Sequence, residues 1–196
     1  MPKRVTLLTG TPCVGKTSTA RLLAVKLNAL YVNLTDMAVK YKLVSGKDET
    51  RNTIIVDEPR MKKKIRSIIQ KTAKKEVVID GHYAVNVVPK ELVTRVFVLR
   101  RDPVELRGFM EHCGFQGPKL FENLASEVLD VCLFDALKAV GMKKVCELDV
   151  TGLSVDEIVK QILFLLQHPA KCHVGVVDWL GKLENEGLLD EYVKLN

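Results

Sequence analysis

Residues 10–17 read Gly-Thr-Pro-Cys-Val-Gly-Lys-Thr, a complete G-x-x-x-x-G-K-T phosphate-binding loop. The apolar run Val5-Thr6-Leu7-Leu8 leads into it, and Ala20, Leu23, Ala24 and Leu27 repeat at helical spacing after it. Strand, loop and helix in that order confine the chain to α/β folds whose ligands meet the carboxyl ends of the strands. Gly10 and Gly15 let the backbone wrap a chain of phosphates with its N–H groups, to which Cys13 adds its own N–H. Lys16 then reaches the terminal phosphates, and the Thr17 hydroxyl is a magnesium ligand. The helix opening at Lys16 points its positive end at the same charges. A merely flexible turn gives no reason for Lys and Thr to follow the second glycine.

Apolar runs suited to buried strands occur at Val5–Thr9, Leu30–Leu34, Val77–Asp80, Arg95–Leu99 and Val145–Val150. Helical patterns separate them: Met61, Ile65, Ile68 and Ile69; Leu106, Phe109, Met110 and Cys113; and Phe121, Leu124, Ala125, Val128, Leu129 and Cys132. Ser154 and Glu157 form a capping box opening a helix that carries Val155, Ile158, Val159, Ile162 and Leu166. The alternation predicts a five-stranded parallel sheet flanked by helices in a single domain, 1–196. Two segments break the alternation. Residues 35–75 hold the polar stretch Ser45–Arg51, and residues 111–119 interrupt two helices with glycines and a proline. Each is expected as a flap closing over the sheet edge, or else as an ordinary surface loop. Val174, Val177, Leu180, Leu183, Leu188, Leu189, Tyr192 and Val193, with Trp179, predict a C-terminal helical extension over 170–196 that packs on the core or binds a partner.

The 47% hydrophobic and 28% charged content is that of an ordinary globular chain. No apolar stretch is long enough to span a membrane, and Met1-Pro2-Lys3-Arg4 is not followed by a signal-peptide apolar region. The expected compartment is therefore the cytoplasm, or also the nucleus in a eukaryote. The five cysteines, 13, 113, 132, 146 and 172, have no close pair spacing and are expected as small buried hydrophobes without disulfides. The net charge of +6 fits a cleft for polyanionic nucleotides. Lys62-Lys63-Lys64 and Lys74-Lys75 are either solvated helix faces or an RNA-facing patch.

Val77-Val78-Ile79-Asp80-Gly81-His82 is an apolar strand ending in an acid, the arrangement of a second magnesium-site carboxylate. If the strand continues, alternation sends Asp80 and His82 to one side, where His82 would orient a water or an acceptor near the terminal phosphate. As a lone residue, His82 reads equally as a structural hydrogen-bonding group. Phosphoryl transfer needs positive charge on the migrating group. Arg100, Arg101 and Arg107 follow the fourth strand and are candidates for it, or else surface ion-pair partners. Arg51, in the first flap, is a candidate bidentate grip on an acceptor phosphate.

Gly-Thr-Pro-x-x-Gly-Lys-Thr, Tyr31-Val32-Asn33-Leu34, Asp48-Glu49 with Asp57, Asp80-x-His82 and Phe97-Val98-Leu99-Arg100 together resemble one family. It is the adenylate-kinase-like NTPases related to adenylate kinase isoenzyme 6, also called the coilin-interacting nuclear ATPase family, with archaeal members. The resemblance runs from about residue 4 to residue 167. It implies a phosphate loop from Gly10 to Ser18, an NMP-binding flap following Asn33 and a lid near 111–121. It also implies transfer of the γ-phosphate of Mg·ATP to AMP or another nucleoside monophosphate, and ATP hydrolysis depending on Asp80 and His82. Members assist maturation of the small ribosomal subunit by binding a protein of its platform. The chain departs from the family where relatives carry two lid arginines: Phe109-Met110-Glu111-His112-Cys113-Gly114-Phe115 has neither, and Arg107, one turn earlier, is the residue placed to substitute. Position 13 is Cys where the family has Gly. Two functions follow as alternatives: a nucleoside monophosphate kinase, or an ATP-driven ribosome-assembly factor with little kinase turnover.

Overall fold

Burial on both faces decides the architecture. In the computed structural model, which describes residues 3–48 and 53–193 (without the side chains of 47, 48, 53 and 54), the apolar runs pair into one parallel sheet. β1 (Arg4–Thr9) feeds the phosphate loop and α1 (Lys16–Lys26), and β2 (Leu30–Asn33) follows. α2 (Leu34–Lys40), the hairpin strands β3 (Val44–Asp48) and β4 (Thr53–Val56), and α3 (Glu58–Lys71) precede β5 (Glu76–Asp80). α4 (Ala84–Val87), β6 (Arg95–Arg100), α5 (Pro103–His112), α6 (Gly117–Val128) and α7 (Val131–Val140) lead to β7 (Val145–Asp149). α8 (Val155–Gln167), α9 (Trp179–Asn185) and α10 (Leu189–Tyr192) follow.

The sheet order is β2-β5-β1-β6-β7, so β1 lies at its centre and the connections diverge to either side of it. That switch point is where an open parallel sheet leaves a crevice. Period-two alternation divides the core. Val5, Leu7, Val77, Ile79, Val96 and Val98 face α2, α3, α4 and α7. Leu8, Val78, Phe97 and Leu99 face α1, α5, α6 and α8. The capping box at Ser154 forms as expected: Ser154 N–H donates to Glu157 Oε2 (2.9 Å) and Glu157 N–H to Ser154 Oγ (3.4 Å).

Three features differ from the sequence expectation. The polar stretch after α2 is not irregular throughout, because Val44–Asp48 pairs antiparallel with the short β-branched run Thr53–Val56. Cys146 and Cys172, 26 residues apart, form a disulfide, correcting the expectation that all five cysteines are unpaired. The chain after α8 returns beside β7, where Glu147 N–H donates to the His173 carbonyl (2.9 Å), so two cysteines distant in sequence meet. Arg100, expected to bind substrate, is 1% exposed and fully engaged by protein. Its Nε donates to Glu127 Oε1 (2.8 Å), its Nη1 to Glu147 Oε1 (2.6 Å), and its Nη2 to the Glu127 carbonyl (2.8 Å) and Asp130 Oδ1 (2.5 Å). Arg100 shares its phase along β6 with Val96 and Val98, so it enters the interior between α6, α7 and β7 rather than the crevice.

Removing one member of a buried ion cluster strands the others without compensation. Arg100→Met should lower unfolding stability by about 3–5 kcal/mol, read as a shifted midpoint in urea denaturation. A loss below about 1 kcal/mol would show that the cluster does not carry this load.

Candidate nucleotide site

The phosphate loop is held open by its glycines. Gly10 has φ +136°, and a Cβ there would collide with the Leu99 carbonyl oxygen of β6, so only glycine lets the loop lie against that strand. Gly15 (φ +102°) caps α1 in the left-handed region, and Cys13 (φ +65°) adopts the same region despite its side chain. Lys16 Nζ donates to the Thr11 carbonyl (2.7 Å), curling the side chain back over the loop. Burial pulls the ammonium below its ordinary value, opposed by Cys132, Asp80, Cys13 and Glu127. Ser18 lies exposed in the first turn of α1. Burial and the Cys113 thiol push Cys13 up to about 12, so it stays a neutral thiol and takes no nucleophilic part.

Beside the loop stands Asp80, 1% exposed at the end of β5. Thr17 Oγ1 donates to its Oδ2 (2.7 Å) and Tyr31 OH to its Oδ1 (2.9 Å). Asn33 Nδ2 lies 3.1 and 3.2 Å from the two oxygens. Burial first, then Asp80, raises the Tyr31 phenol, keeping it a donor. Thr17 and Asp80 are thus brought together as one hydroxyl and one carboxylate, the oxygen donors magnesium prefers. Among the described residues no cluster of three or more His, Cys, Asp or Glu could hold a metal. A phosphate-loop magnesium needs no such cage, since water and phosphate oxygens complete its shell. Asn33, expected to bind substrate, caps α2 through Oδ1 (2.9 Å from Asp36 N) and spends its amide on Asp80.

His82 reaches the site by a different route from the one alternation suggested. β5 ends at Asp80, and the turn that follows is pinned where Gly81 N–H donates to the Leu8 carbonyl (3.2 Å) and Thr9 Oγ1 to the His82 carbonyl (3.0 Å). The imidazole meets the Tyr83 ring edge-on (4.8 Å between centroids). Surrounding protein, then the Lys16 ammonium, lower its pKa; the residue stays exposed, so water moderates the fall. A cavity of about 510 Å³ opens here, lined by Thr11 and Pro12 of the loop, His82 and Tyr83, Phe115 between α5 and α6, and Cys132 of α7.

Arg107, expected to act in catalysis, is turned elsewhere: its Nε meets Glu111 Oε1 (3.0 Å), its Nη1 lies 3.8 Å from Glu191, and its guanidinium lies 5.8 Å from the centre of the Tyr192 ring. Arg51 lies outside the described residues. Arg101 is the arginine beside the loop. It is 6% exposed, its Nη2 lies 4.0 Å from where a Gly15 Cβ would stand, and its buried Nε has no protein partner. Its Nη1 pairs with Glu105 and its guanidinium stacks 4.9 Å from the Phe109 ring centre. A guanidinium with its Nη2 near the loop and its Nε unpartnered suits an anion. Of the three arginines that the sequence offered for the migrating group, Arg101 is thus the one beside the loop, while Tyr31 and Glu127 were not singled out as site residues from sequence.

Sheet order, loop and acid together define a phosphate-loop nucleotide-binding protein. The model of the AAA domain matches residues 7–130. A protein of Methanocaldococcus jannaschii named "Putative adenylate kinase" is 34% identical over 175 residues, 89% of this chain and 92% of its own. One of the same name from Pyrococcus furiosus is 38% identical over 173 residues, 88% of this chain and 89% of its own. Shikimate kinase from Acinetobacter baumannii, solved with shikimate, superposes with TM-score 0.60 at 14% identity over 85% of this chain and 94% of that one, a likeness of fold. The chain belongs to the AAA-domain family, together with these archaeal proteins. No helix among the described residues is long and apolar enough to cross a membrane.

The folded His82 value lies below the ordinary 6.5. As pH falls the unfolded chain therefore takes up this proton first. The stabilisation is complete above about 6.5 and is lost as pH falls through the lowered folded value. Thermal midpoints recorded from neutrality down to about 4 should fall less steeply in His82→Gln than in the parent. Identical slopes would mean the histidine is not held neutral.

Proposed function

We propose that this protein is a nucleoside monophosphate kinase that transfers the γ-phosphoryl group of Mg·ATP to AMP. The observation that carries the reading is the cavity of about 510 Å³ beginning at Thr11 and Pro12, a volume suited to a small-molecule acceptor beside a loop suited to the donor. AMP is preferred over other acceptors because the archaeal relatives carry the name of adenylate kinases.

In this reading the loop N–H groups and Lys16 hold the ATP phosphates, and Thr17 and Asp80 would hold magnesium, which would supply positive charge against the phosphates. Arg101 adds the positive charge that the absent lid arginines would supply. An oxygen of the AMP phosphate attacks the γ-phosphorus, the bond to the β–γ bridging oxygen breaks, and two ADP leave. The attacking phosphate carries no proton at neutral pH, so transfer needs no general base. Attack by water does, because a proton must go somewhere. Neutral His82, lining the cavity next to Lys16, is suited to accept it. This favours ATP hydrolysis as a second activity. If hydrolysis dominates, the family resemblance points to a ribosome-assembly factor with a platform protein as partner.

ADP production from Mg·ATP, measured with and without AMP, should rise well above the no-acceptor rate when AMP is present. Equal rates would sink the kinase reading and leave the ATPase. His82→Ala should cut the no-acceptor rate by about 10²-fold or more while AMP-dependent transfer falls far less. Equal losses would remove His82 from water activation.

A further inference from the structure

Glu127 is a fully buried carboxylate, 1% exposed, in the last turn of α6, and beyond its pairing with Arg100 it has been given no part in the nucleotide site. Four donors from three regions converge on it. Oε2 accepts the hydroxyl of Thr11, the second residue of the phosphate loop. Oε1 accepts Arg100 Nε (2.8 Å), Arg101 N–H (3.2 Å) and the indole Nε1 of Trp179 (3.3 Å). Donors on both oxygens, three on Oε1 and one on Oε2, hold the carboxylate in one orientation. A buried ion pair gives little net stability over apolar residues of equal volume; what it gives here is a fixed place for its partners. The Thr11 hydroxyl is tied to Glu127, and the Thr11 carbonyl is the acceptor for Lys16 Nζ (2.7 Å). Arg101, whose guanidinium lies against Gly15, donates its backbone N–H to the other oxygen of the same carboxylate, Oε1.

The fourth donor comes from far along the chain. Trp179 lies beyond the segment matched by the AAA-domain model, which ends at residue 130. Its seat is built independently. Cys172 is joined to Cys146, Glu147 Oε2 accepts Gly175 N–H (2.6 Å) and Val176 N–H (2.9 Å), and Lys182 pairs with Asp102. Leu183 and Tyr192 are buried in the core that holds α1 and α6. Trp179 itself is 7% exposed, so its N–H has no solvent to turn to if the carboxylate moves.

We propose that Glu127 is a positioning residue for the nucleotide site, and that residues 172–193 take part in ATP binding by seating Trp179 on it. This rests on the reading of the phosphate loop as the ATP site. The C-terminal segment is then a working part of that site rather than packing alone.

The test is a double-mutant cycle on the full-length protein, with Mg·ATP binding measured by calorimetry. Thr11→Val and Trp179→Phe keep shape and remove one donor each, avoiding the folding risk of changing Glu127 itself. Each should weaken Mg·ATP binding by about fivefold, the weight of one net hydrogen bond. Because both act through one carboxylate, the double variant should be weakened by clearly less than the product of the two. In Trp179→Phe the Michaelis constant for AMP should stay within about twofold of the parent's, since Trp179 does not line the acceptor cavity. Unchanged ATP binding in either single variant, or losses that multiply, would overturn the proposal. An equal loss of AMP binding would mark general loosening and overturn it as well. A parent protein that does not bind Mg·ATP would defeat the nucleotide-site reading itself, a result separate from any of these.

Discussion

One carboxylate joins the parts that make the crevice. Asp80 ends β5, and it is reached from α1 by Thr17 and from β2 by Tyr31 and Asn33. A buried, charged oxygen pair without donors would cost several kcal/mol. The three donors therefore fix how the loop helix, the edge strand and the central strands lie together. Asn33 does this twice, because its other amide atom caps α2. The start of the 34–71 insertion is thus tied to the same acid as the phosphate loop. Any movement of that insertion over the crevice must pivot beyond Asn33 rather than through it.

The reading from sequence succeeded where a residue's neighbours along the chain decide its place. The five sheet strands, the loop, the capping box at Ser154 and the acid at Asp80 all follow from local pattern: alternation, spacing and a glycine where a Cβ would strike Leu99. It failed where placement depends on chain segments that meet only after folding. Arg100 and Arg101 are adjacent, yet strand phase sends the first to Glu127 and Glu147 and the second to Gly15. Glu147 lies in phase with Val145 on the neighbouring strand and is paired with Val98, two residues before Arg100, so a buried acid near a strand-end arginine was a readable hint. The Cys146–Cys172 pair had no such hint, since nothing in its spacing reports that the chain returns to β7. His82 is the intermediate case: it reaches the site through a turn rather than through the alternation that suggested it.

Arg107 and Arg101 divide the lid question between them. The chain lacks the two arginines its resemblance calls for at 109–115, and Arg107 cannot stand in while it is paired to Glu111 and beside Glu191 and Tyr192. Hydrogen bonds to Glu111 and Tyr192 also raise its already high pKa, so its charge is constant and locally neutralised. Arg101 keeps one buried donor unmet beside the loop. On the proposed reading, positive charge at the site would come from the floor of the crevice, where it is preorganised, rather than from a closing lid. Preorganised charge costs no rearrangement when the phosphoryl group moves.

The same geometry bears on the choice between transfer and hydrolysis. Burial, and after it the Lys16 ammonium, lowers the pKa of His82, so the cation that holds phosphate also favours the imidazole as a free base. A free base beside a bound triphosphate favours attack by water unless something displaces the water. The cavity containing His82 also touches Thr11 and Pro12, so an acceptor bound there would occupy the position from which water attacks. Acceptor binding then serves two ends, supplying a nucleophile that needs no base and excluding the one that does. If the proposed kinase and ATPase activities both hold, their ratio would be set by occupancy of one cavity, with His82 idle whenever the cavity is full.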